Sequence, residues 1–246
     1  MIAPGPKIPT QFGPVQCTTL DEERVHHVGY KPDPWIWAPW EFAQGGRFSG
    51  RWDDPDGEWR AKYVGATRVA CYLEVLASFR PDPTLEADMD VIESDDDDDE
   101  FPTIPPGRLD DGWCDERLVC TARLSGCFVL PSHHETLPTL REQFLPLATT
   151  LGLTDVDAAA VREGEPRELT QSMSAWIYEI VGPDGERING IQYLSRHGDD
   201  LVLWAIYERG STKSPPEVTV RDKPGVISPD DEDLAEAMRI HRISWL

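Results

Sequence analysis

The sequence predicts an α+β protein: a compact mixed sheet core with flanking helices. Three observations carry this. Runs with strand character, such as KYVGA (62–66), RLVCTARL, CFVL, GIQYLS and LVLWAIYE (201–208), are interspersed with helix-patterned runs but lack a regular βαβ rhythm. Hydrophobic residues make up 39% of the 246, with nine tryptophans, which is enough to bury a substantial core. No internal repeat and no clean boundary divides the chain, so the expectation is one domain over 1–246 with its core at about 21–210.

Each element follows from local pattern. Residues 1–20, rich in proline and glycine, read as an irregular arm. From Asp21 to Trp59 the density of Trp, Pro and Gly predicts loops and short strands with aromatic anchors. Strand 62–66 leads to Thr67, an N-cap, and then to RVACYLEVLASF, a helix apolar over most of its surface that stops at Pro81 and Pro83. Residues 84–112 are acidic, proline-bearing and poor in core residues, and read as a mobile insertion. ETLPTLREQFLPLATTLGL predicts a helix interrupted near Pro146, and Thr154 or Asp155 caps a short helix through Val161. Thr170 caps a further helix with Met173, Trp176, Ile177 and Ile180 on one face. Residues 211–246 read as a C-terminal extension ending in a capped helix, PDDEDLAEAMRIHRI.

Charge and cysteine usage restrict the function. The net charge of −22 argues against nucleic-acid and anionic-membrane partners, which need a cationic surface. Glu86 to Glu100 concentrates acids without a single base, yet the chain is acidic outside that tract as well. No signal peptide is legible, and no run reaches the ~18 apolar residues of a membrane span. Five cysteines, an odd number at irregular spacing, suit a reducing cytoplasm. Cys114, Cys120 and Cys127 with His133 and His134 lack the tight spacing of structural zinc sites, so no metal is expected and the cysteines near Cys120 read as buried strand residues.

Familiar catalytic signatures are missing. Gly45 and Gly50 precede Arg51 and Trp52 where a phosphate loop needs Lys and then Ser or Thr, and DDPDG follows as a turn. His197 has no Ser or Cys partner in a recognisable signature, and the doublets His26-His27 and His133-His134 lack ligand spacing. Arg51 keeps two readings: a salt bridge to Asp53, Asp54 or Asp56, or a guanidinium for a phosphate or carboxylate, with Arg47 competing for that role. Glu74 lies mid-helix among Cys71, Leu73, Val75 and Leu76, where a carboxylate needs a partner. That partner is Arg68 or Arg80, or else a ligand. Tyr63 is a core aromatic or a ligand platform, and Ser195 a turn serine or a hydroxyl at a strand end facing a cleft.

Together, GRW, YVG, the glutamate of CYLEVLASFRPDP, GIQYLSR and LVLWAIYE resemble the RES domain family, named for its Arg, Glu and Ser. The resemblance covers roughly Val25 to Glu208 in two blocks. It implies a fold akin to ADP-ribosyltransferases and an enzyme that consumes NAD as substrate, in many relatives the toxin of a bacterial toxin–antitoxin pair with an Xre-type antitoxin as partner. Carried over, Arg51 stands beside the cofactor, Tyr63 is the aromatic before the helix, Glu74 the family glutamate and Ser195 the serine of the late Y-x-S element. Two departures stand out: His27, in VHHVGY, occupies the place of an early arginine, and the middle of the chain is longer than in compact members. The alternatives are an ADP-ribosyltransferase acting on a macromolecule and a non-catalytic binding domain.

Overall fold

Two long antiparallel strands, β2 (Gly13–Tyr30) and β5 (Arg117–Val129), run side by side through the middle of the fold. Their register slips between Leu20 and Glu23, a bulge that bends the pair. Three shorter strands, β3 (Ala61–Gly65), β6 (Gly190–Leu194) and β7 (Val202–Tyr207), close a circuit: β2 pairs β3, β3 pairs β7, β7 pairs β6, and β6 runs parallel to β5. The architecture is therefore mixed α+β with a large mixed sheet and flanking helices. The computed structural model describes residues 5–83, 104–182 and 185–246. Among these, no helix is long and apolar enough to cross a membrane.

The period-two alternation of strands decides what each face covers. On β7, Leu203, Ala205 and Tyr207 join a core with Trp52, Trp59, Ile191 and Tyr193, while Trp204 and Ile206 point the other way, to Val25, Val64, Leu124 and Phe128. The first face is covered by α3 (Leu137–Thr150) and α5 (Arg167–Tyr178), through Leu140, Phe144, Met173 and Ile177. A further core forms where α1 (Arg68–Val75) packs on α6 (Glu232–His241), burying Tyr72, Leu73, Leu76, Leu234 and Met238. The segment read as a C-terminal extension thus supplies a helix packed against the one that carries Glu74.

Several expectations change. The arm expected over 1–20 is a hairpin: β1 (Lys7–Thr10) pairs with the start of β2, and edge position tolerates its proline. Pro and Gly content concealed the alternation that buries Ile8, Val15 and Cys17. The expected mobile insertion lies outside the described residues over 84–103, but its end is ordered: β4 (Arg108–Leu109) pairs in parallel with a short strand, β8 (Ser244–Trp245), and Leu109 is fully buried. Helix α3 continues through Pro146, whose missing donor falls on the exposed side while Leu140, Phe144 and Ala148 pack the other. The short helix α4 (Ala158–Glu163) is capped by Asp157, not Thr154 or Asp155, and α5 begins after Pro166, leaving Thr170 buried inside it. Cys120 and Cys127 lie on β5, whereas Cys114 sits in the short turn of helix α2 (Gly112–Asp115).

Asp231 ties α6 to α1. Its Oδ1 accepts from the N–H groups of Asp233 and Leu234 at 3.0 and 3.1 Å, and its Oδ2 pairs with Arg68. Asp231→Ala should lower unfolding free energy by about 1–3 kcal/mol, a lost cap plus a partly buried ion pair, with an unchanged denaturant m-value.

Candidate functional site

The GRW segment is a tight turn held from three directions. Asp53 Oδ2 accepts the Gly50 N–H at 2.6 Å, closing the turn around Arg51 and Trp52. From β3, the Tyr63 hydroxyl accepts the Trp52 N–H at 3.0 Å and donates to Asp53 Oδ1 at 3.1 Å. From α5, Gln171 donates to the Gly50 carbonyl at 3.0 Å and Ser174 to the Trp52 carbonyl at 2.7 Å. Gly50 is required here because a Cβ would stand 2.5 Å from both Asp53 Oδ2 and the Tyr63 hydroxyl.

This turn carries Arg51 inward. The residue is only 8% exposed, its guanidinium carbon lies 5.4 Å from the Tyr193 ring centroid, and Nη1 has no hydrogen-bond partner among the described residues. The salt bridge to Asp53, Asp54 or Asp56 does not form: Asp53 is engaged as above, and Asp54 caps the following turn through the Glu58 and Trp59 N–H groups. Short polar side chains in a turn find backbone donors before they find a neighbouring guanidinium. Burial lowers the Arg51 pKa, while Tyr193 and Glu74 favour its charge and Arg167 and Arg196 oppose it. Gly164, at φ +66°, makes room, since a Cβ there would come within 2.7 Å of Arg51 Nε.

Glu74 and Ser195, 121 residues apart, meet directly. The Ser195 hydroxyl donates to Glu74 Oε1 at 2.5 Å and accepts the His197 N–H at 2.9 Å. Ser195 is 1% exposed at the end of β6, where its own N–H donates to the Leu201 carbonyl. Neither expected arginine pairs with Glu74: Arg68 is engaged by Asp231 and Asp233. Tyr193, two residues before Ser195 and therefore on the same face of β6, sits between the halves of the site. Burial raises its pKa well above the ordinary phenol value, with Glu74 and Asp53 adding to the rise and Arg51 opposing it. The cluster thus presents a desolvated cation, an aromatic ring and a carboxylate oriented by a hydroxyl.

Three residues expected at the site take other roles. Tyr63 has its hydroxyl committed to the GRW turn and acts by positioning Arg51. Arg47 is exposed on a hairpin tip formed by Gly45 and Gly46 at positive φ, and donates to the Pro55 carbonyl at 3.2 Å. His27 is not brought to the cluster. Its Nδ1 donates to the Tyr63 carbonyl at 2.8 Å, its ring packs on Trp35, and burial pushes its pKa down to about 3, so it carries no charge for a phosphate. Conversely, Asp53, Gln171 and Gly164 carry no motif, and Tyr193 enters only as the tyrosine of the Y-x-S element, without a role of its own. Only the position of Tyr193, two residues before Ser195 on a strand, signals a shared face. Surface cavities of about 490 and 260 Å³ lie elsewhere, against Thr139 and against Thr121. Among the described residues, no three His, Cys, Asp or Glu side chains group to hold a metal.

Burial raises the Asp53 pKa to about 6, against the opposing effect of its hydrogen bonds from Gly50 and Tyr63. Between about pH 4 and 6 the folded state holds a proton that the unfolded chain has released, so this group's contribution to stability falls as pH rises through that window. Asp53→Asn cannot ionise. Its stability relative to the wild type should improve from pH 4 to 6.5 by on the order of 2 kcal/mol in urea unfolding, and a difference independent of pH would contradict the assignment.

Compared with known proteins, the chain matches no protein-family model, no curated protein and no solved structure.

Proposed function

We propose that the protein is an NAD-consuming enzyme of RES type that cleaves the bond between nicotinamide and ribose. The observation that carries this reading is the Glu74–Ser195 hydrogen bond within electrostatic reach of the buried Arg51, whose Nη1 has no hydrogen-bond partner among the described residues. A chain of net charge −22 can hold a dinucleotide pyrophosphate only by offering local cationic donors, and a desolvated guanidinium is a strong one. The ADP-ribosyltransferase-like reading of the sheet, and a role as a toxin countered by an Xre-type antitoxin, rest on the sequence resemblance.

The chemistry asks little of acid catalysis. Nicotinamide carries a positive ring nitrogen in NAD and departs neutral with the bonding electron pair, leaving oxocarbenium character at C1′ of the ribose. Glu74 stabilises that charge or holds a ribose hydroxyl, Ser195 fixes the carboxylate, and Arg51 anchors the phosphates. In the hydrolytic form, water adds to C1′ and releases a proton, giving ADP-ribose. Transfer of ADP-ribose to a protein or nucleic acid would instead place the protein among macromolecular ADP-ribosyltransferases, and NAD binding without turnover would make it a binding domain.

Purified protein incubated with NAD should release free nicotinamide, seen by chromatography of the nucleotides. Glu74→Ala should reduce release by roughly 100-fold or more at unchanged circular dichroism, the scale of losing a principal charge stabiliser. Ser195→Ala should lower kcat more than it raises KM. Full activity in Glu74→Ala would overturn the assignment.

A further inference from the structure

The Glu74–Ser195 pair is joined a second time, behind the site. His241, the last residue of α6, is 5% exposed, and its Nε2 lies 2.8 Å from the Leu73 carbonyl. A carbonyl can only accept, so Nε2 carries the hydrogen. Leu73 lies in the last turn of α1, where helix carbonyls lack intrahelical partners. The bond therefore fixes the backbone next to Glu74. On the other side, the His197 ring meets the His241 ring edge-on at 4.8 Å, and the His197 N–H is the one that donates to Ser195. Each partner of the front hydrogen bond is thus tied through its neighbour to one of two histidines in contact.

Burial, with help from nearby arginines, lowers the pKa of both histidines. Burial lowers the His241 pKa, with Arg80 acting in the same direction and the Leu73 bond and Glu74 opposing. Burial also lowers His197 to about 4, aided by His241, Arg196, Arg80 and Arg51. In the neutral ring the single N–H sits on Nε2, where the Leu73 carbonyl accepts it, and Nδ1 is left unprotonated.

We propose that His241 is a positioning residue that sets Glu74 in register with Ser195 from the C-terminal helix. The inference rests on the reading of Glu74 given above for its kinetic consequence, but its structural consequence stands independently. Two variants test it: His241→Leu, which removes the donor, and His241→Gln, whose side-chain amide can restore it. Hydrogen exchange read by mass spectrometry should accelerate by roughly 10-fold or more over 70–80 in His241→Leu, remain unchanged over 137–150, and return to wild-type rates in His241→Gln. With NAD as substrate, His241→Leu should lower kcat by roughly 10- to 100-fold with KM within about twofold, and His241→Gln should recover most of it.

If the wild type consumes no NAD, the activity reading fails and exchange alone decides the role of His241. Unchanged exchange over 70–80 in His241→Leu overturns the proposal. Equal acceleration over 137–150 overturns it too, because His241 would then support the whole fold and not the site. Should His241→Leu fail to fold, His241→Asn, too short to reach Leu73, carries the same expectations.

Discussion

A buried guanidinium without a carboxylate partner among the described residues is the constraint around which this site is arranged. Removing a charge from water is costly, and a fold normally supplies an opposite charge or lets the group reach solvent. Arg51 has neither; it has the face of Tyr193 and the more distant attraction of Glu74. What keeps it there is backbone restraint. Tyr63, Gln171 and Ser174 grip the turn before and after Arg51 and so fix the backbone from which its side chain projects. The stability of β3 and α5 maintains a locally unfavourable arrangement of Arg51.

The sheet supplies the geometry. Tyr63 pairs with Ala205, which pairs in turn with Ile191, and two residues along β6 lies Tyr193. One face of three adjacent strands thus carries the aromatic residues that hold and line the Arg51 turn, with alanine between them. The helix bearing Glu74 descends from the end of β3, started by Thr67, whose hydroxyl accepts the Ala70 N–H at 3.1 Å. Gly65 allows that approach, since a Cβ would lie 2.9 Å from Cys71 Sγ. Strand, glycine, cap and helix form a short rigid connection between the parts of the site.

The legible portion of this arrangement was local. Glu74 stood out because an acid among apolar neighbours on a helix violates its pattern, and Ser195 because a strand ended on it. The capped helix after Thr67, the strands around 62 and 201, and the capped C-terminal helix follow from periodicity and caps. What was not legible depends on choices between equally available partners. Asp53 and Asp54 could have met Arg51 and instead took backbone N–H groups. His27 looked like a displaced phosphate ligand and is a desolvated ring bonded to the Tyr63 carbonyl. The hairpin at residues 7–16 was hidden by prolines that an edge strand accommodates. Tyr193 and His241 drew no role of their own because their significance lies in interactions across 119 and 168 positions, the electrostatic influence of Glu74 on Tyr193 and the hydrogen bond from His241 to Leu73.

The docking of α6 onto α1 has a consequence for the timing of synthesis. A ribosome delivers residues 51 and 74 early, residue 195 much later and residue 241 later still. Until then the Leu73 carbonyl has no imidazole and the apolar side of α1 has no helix α6 to cover it, and Glu74 has no serine until residue 195 is made. An unfinished chain therefore lacks the Glu74–Ser195 bond until residue 195 is made, and the Leu73–His241 bond until the helix that ends at His241 is complete.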